Sequence, residues 1–116
     1  MRAAEFEFEA KPPLLTDIVF HSQQLAEKTM KAFLTWHDVP FRKTHDLAEL
    51  SQQCIEIDAS LEQVSKAVER LTVYAWEFRY PGERVGPPRA EAEMSLGQAR
   101  ALHVAVLSRV PTAVRP

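Results

Sequence analysis

The sequence predicts an all-α fold, a four- to five-helix up-and-down antiparallel bundle, from its punctuation, its periodicity and its length. Only three glycines occur, Gly82, Gly86 and Gly97, so the first 81 residues contain none. The eight prolines fall in short clusters and leave proline-free stretches at 14–39, 41–80 and 89–110. A β-sandwich or a dinucleotide-binding unit normally needs glycine in its turns, so neither is expected. Within the proline-free stretches, apolar residues recur at helical spacing. The 116 residues suit one domain with its own core. We expect a single bundle over residues 1–110 and a short tail over 111–116.

The elements follow in order. In residues 2–10, Phe6 and Phe8 alternate with Glu5, Glu7 and Glu9, a strand-like period, but no pairing strand is nearby and a helix is the preferred reading. Lys11-Pro12-Pro13 stops it. A second helix is expected over 17–37, with Asp17 as N-cap. Ile18, Val19, Leu25, Ala26, Met30, Ala32, Phe33, Leu34 and Trp36 share its apolar arc, and Gln24, Glu27, Lys28 and Lys31 take the polar one. Phe20 lands on the polar side, and His21 at the arc's edge. After the connector 38–43, Thr44 is expected to cap a third helix, with Asp46 in its first turn and Leu47, Leu50, Cys54 and Ile57 as its stripe. Ser60 opens a fourth, with Gln63 completing a capping box and Leu61, Val64, Val68, Leu71, Ala75 and Phe78 buried. Arg79-Tyr80-Pro81-Gly82 ends it. The last helix runs from 89 to 109 and buries Ala92, Leu96, Ala99, His103, Val106 and Leu107.

Several function classes fall away. No apolar run approaches the roughly 18 residues that span a bilayer. The acidic N-terminus lacks a signal peptide's apolar segment, so a cytoplasmic location is expected. One cysteine, Cys54, excludes an intramolecular disulfide framework and reads as a small buried residue. No Cys/His spacing matches a zinc site, and no cofactor is expected. The net charge of −2 hides an asymmetry: residues 1–78 are acidic overall and residues 79–116 basic, so the two regions suit different partners.

Read as one string, Phe20-His21-Ser22-Gln23-Gln24-Leu25-Ala26-Glu27-Lys28-Thr29-Met30-Lys31-Ala32 leads to Thr44-His45-Asp46-Leu47 and then to Arg79-Tyr80-Pro81. This order resembles the HEPN family, whose pattern runs F-H-x-Q-Q-x-x-E-K-x-x-K-A, T-H-D-L, R-Y-P and an alanine-bearing final helix. The resemblance implies a helical bundle that dimerises. It implies a partner or substrate-binding subunit of a minimal nucleotidyltransferase, a toxin–antitoxin or related setting, and nucleotide binding. Other branches of the family are ribonucleases carrying R-x4-6-H. The histidines here are His21, His37, His45 and His103, and none has an arginine five to seven residues before it. Family members usually begin with a longer first helix, so the resemblance implies a truncated first helix here, in a naturally shortened member or in one whose true start lies upstream.

Each site candidate has a structural reading beside its functional one. Gln24, Lys28 and Lys31 share a helical face where two lysines can hold a phosphate; the alternative is a solvated face with Glu27 paired to Lys31. His45, beside a helix N-terminus, can meet an anion or fasten the connector to the bundle. Arg79 suits a helix C-terminus or, with Arg42, Arg84 and Arg89, forms a basic surface for phosphate. Tyr80 stacks on a base or closes the core. His103 reads as a satisfied core histidine, and Trp36 as core. Phe20, Glu27 and Trp76 are the candidates for a dimer face. An atypical ribonuclease using His45 and Arg79, and a purely structural dimer, are the alternatives to a non-catalytic binding module.

Overall fold

A computed structural model describes residues 13–75 and 87–110, and for Pro13 and Leu14 the backbone alone. The expectations for residues 2–10, for Trp76, Phe78, Arg79, Tyr80, Pro81 and Arg84, and for the tail 111–116 lie outside the described residues. Those residues form an all-helical bundle of up-and-down type with four α-helices: α1 (Pro13–Trp36), α2 (Leu47–Ile57), α3 (Glu62–Val68) and α4 (Arg89–Leu107). Short 3-10 turns at Ala59–Leu61 and Glu69–Ala75 bracket α3.

The helix α1 begins four residues before the expected Asp17 cap. Pro13 occupies the first helical position, where a missing N–H costs nothing and the ring's fixed φ already suits the helix. A proline that reads as a stop for the preceding segment is here a start.

The other end of α1 closes in a Schellman motif. Asp38 adopts φ 57°, its N–H reaches Thr35 O at 3.0 Å, and Val39 N–H reaches Leu34 O at 2.9 Å. The connector then doubles back along α1: Val39 lies at Leu34, Lys31 Nζ stands 5.9 Å from the Phe41 ring, and His45 meets Glu27. It forms a strap over α1.

Two caps differ from expectation. The N-cap of α2 is Asp46, whose side chain accepts from Ala48 N–H, while Thr44 Oγ1 accepts from Asp46 N–H one step earlier. An Asx cap at 46 leaves Thr44 outside the helix. Leu47 N–H, an orphan donor of the first turn, is satisfied at 3.0 Å by Thr72 Oγ1 from the 3-10 turn opposite. At the next corner Asp58, not Ser60, caps the chain, accepting from the Ser60 backbone N–H and hydroxyl. Arg109 ties that corner to the end of α4 through Asp58 and Ser60.

The core runs through Ile18, Met30 and Phe33 of α1, Leu50 of α2, Leu71 and Leu102, all at 1% exposure or less. Leu47, Leu50 and Cys54 form the expected α2 stripe, and Ala92, Leu96, Ala99 and Val106 that of α4. Trp36 is the main exception: it is 42% exposed rather than core, because the chain turns away at Asp38 before anything covers it. Ala32 is exposed, and Leu107 and His103 are half-buried. Among the described residues no helix is long and apolar enough to cross a membrane.

Candidate functional site

The polar arc of α1 carries Gln23, Glu27 and Lys31, one helical turn apart, and the strap lays His45 against them. Glu27 is only 2% exposed and Gln23 is fully buried. This corrects the expectation of a solvated face: the strap covers the middle of the arc, and helical periodicity carries no information about a non-helical segment's path.

Glu27 accepts from every side. Gln23 Nε2 donates to Oε1 at 2.7 Å, and Lys31 Nζ donates to Oε2 at 2.9 Å. The Nδ1 of His45 lies 2.9 and 3.0 Å from the two carboxylate oxygens. A carboxylate only accepts here, so Nδ1 carries the proton and donates. Gln24 Nε2 in turn holds Gln23 Oε1 at 2.7 Å, fixing that amide's orientation. Burial pushes the Glu27 carboxyl up, but donation from Gln23, His45 and Lys31, with the Lys31 charge, outweighs it and holds the group below the ordinary carboxylate range.

Four of the expected site residues are therefore brought together: Gln24, Glu27, Lys31 and His45. The anion between Lys31 and His45 is internal. Where a phosphate would sit, the Glu27 carboxylate already does. Lys28 is not part of this group; it is exposed and points to another side of α1, beside Thr29 and Trp36. Phe20 is half-buried, with its ring 6.0 Å from that of His21. Of the expected basic surface, Arg42 is engaged by Glu49 in a two-point contact, at 2.9 and 2.6 Å. Arg89 contacts Glu93 at 3.3 Å.

Sequence reasoning passed over three features. Gln23 was legible, since it stands four residues before Glu27 on the same face. A second carboxylate centre was not: Glu91 accepts from Arg70 at 2.5 Å and Tyr74 Oη at 2.7 Å, with Ser95 Oγ at 3.3 Å, joining the 3-10 turn to α4. Burial raises the Glu91 carboxyl, yet the Arg70 and Tyr74 bonds bring it below its usual range. The third is a groove of about 390 Å³ between α1 and α4, lined by Leu25, Lys28, Ala32, Trp36 and Leu107 among others. At its wall Thr29 Oγ1 and His103 Nδ1 lie 3.2 Å apart, so His103 is satisfied, but at the groove rather than in the core.

The described residues form a helical bundle whose longest helix buries a carboxylate under the connector that follows it. The family model of the HEPN domain matches residues 1–109, and the chain belongs to that family. No curated protein and no solved structure gives a significant match.

Proposed function

We propose that this HEPN-family protein is a non-catalytic binding module, a homodimeric partner or substrate-binding subunit of a minimal nucleotidyltransferase, in a toxin–antitoxin or related setting. The observation that carries the reading is the arginine–histidine spacing. No histidine follows an arginine by five to seven residues, and the nearest pairs, Arg42–His45 and Arg100–His103, are three apart. The geometry of the Glu27 centre supports it. General base catalysis on RNA needs a histidine aimed at the attacking hydroxyl and a cation at the phosphate. Here the Lys31 ammonium is committed to Glu27 rather than to a phosphate, and His45, half exposed, spends its Nδ1 on the same carboxylate, where the two hold the strap that presents Phe41 and Arg42. On this reading the dimer face includes Phe20 and Trp76, and nucleotide phosphate falls to Arg79 with Tyr80, in the basic part of the chain.

The test is to look for a minimal nucleotidyltransferase encoded beside this chain and to purify the two together. Co-elution, a dimer in sedimentation that Phe20→Asp or Trp76→Asp converts to monomer, and heat on titration with ATP are the expected results. Cleavage of transcripts by the purified protein, lost in His45→Ala, would overturn the reading in favour of a ribonuclease.

A further inference from the structure

We propose that the groove between α1 and α4 binds a small organic anion with an aliphatic body, a carboxylate carried on a hydrocarbon chain. Its volume, about 390 Å³, falls in the roughly 300–1,000 Å³ range of small-molecule sites. Its lining is apolar along both walls, with Leu25, Ala32 and Trp36 on one side and Val106 and Leu107 on the other.

Charge decides the head group. Among the described lining residues Lys28 is the single formally charged side chain, and none is a carboxylate. One turn on, Lys31 is neutralised by Glu27, but Lys28 makes no ion pair among the described residues. The Thr29 hydroxyl is engaged with His103, so the ammonium is the groove's main call on a ligand. A hydrocarbon body covering Trp36 and Leu107 removes apolar surface from water, at about 25 cal/mol per Å². A carboxylate at the rim meets Lys28 in a partly desolvated setting, where the pair is stronger than in open water. A second copy of this chain docking groove to groove suits the site less well, because it brings two Lys28 ammonium groups together with no carboxylate among the described lining residues of either groove to meet them.

The probes are sodium octanoate, below its micellar range, and 1-octanol as the neutral counterpart, titrated into the full chain by calorimetry and followed by tryptophan fluorescence. Octanoate is expected to bind saturably at one site per chain. Lys28→Gln should weaken octanoate about tenfold and leave 1-octanol unchanged. Ala32→Trp, which fills the groove from an exposed position, should abolish binding of both, with circular dichroism reporting an intact fold. Absence of saturable octanoate binding would overturn the proposal, as would equal octanoate affinity in Lys28→Gln. So would a dimer that octanoate does not dissociate and Ala32→Trp does, since the occupant would then be a second copy.

Discussion

Two sides of α1 invert the usual relation between polarity and burial. Along Gln23, Glu27 and Lys31 the helix is polar, and it is closed: the strap covers it and leaves Glu27 2% exposed. Along Leu25, Ala32 and Trp36 it is apolar, and it is open: Trp36 is 42% exposed over a groove. A buried charge is tolerated only where its partners are built in, and Glu27 has three. An open apolar wall on a helical bundle, by contrast, marks a surface that meets something else. One side of the helix is therefore finished within the described residues, and the other is not.

The largest test of this contrast sets Phe33 against Trp36, three residues apart. Phe33 sits in the core at 1% exposure, so Phe33→Ala is expected to cost about 3–5 kcal/mol in chemical denaturation. Trp36→Ala removes a larger ring and should cost less than about 1 kcal/mol. Equal costs would mean that Trp36 is covered in solution. Next in size is Glu27→Leu, expected to lose about 2–3 kcal/mol, since buried Gln23 then loses its acceptor and His45 and Lys31 their anion.

Acid sharpens the same point. The Glu27, Glu91 and Asp58 carboxyls are all held below their ordinary values in the folded chain. Each contributes stability that is fully present above the ordinary carboxylate pKa and is lost as pH falls through the lowered folded value. Unfolding midpoints should therefore decline on the acid side, and Glu27→Gln should flatten that decline. A smaller effect belongs to the end of the helix. Asp38→Gly removes the left-handed strain at φ 57° and should stabilise the fold by about 0.5–1 kcal/mol. Cys54 adds a chemical control: burial pushes its thiol up to about 12, so alkylation at neutral pH should require unfolding.

What was legible in the sequence follows from what repeats. The helices came from the 3.6-residue period, and Glu27–Lys31 came from its i, i+4 spacing. The burial of that pair did not, because it depends on the ten-residue strap between Trp36 and Leu47, which has no period of its own. The caps were displaced by similar local competition. Thr44, Asp46, Asp58 and Ser60 are all good cap residues, and the aspartates won through bonds to the backbone N–H two residues on. Trp36 was read as core because its angular position is apolar. The Schellman turn at Asp38, which takes the chain away from it, is written in a residue other than the usual glycine.

The central claim is that Glu27 and His45 form an internal fastener between helix and strap. A double-mutant cycle on stability, with Glu27→Gln, His45→Gln and the pair, measures it most directly. The structure predicts that the two changes are coupled by about 1 kcal/mol, so that the second costs little once the first is made. Strictly additive costs would contradict it, and would return His45 to the list of groups held in reserve for a ligand.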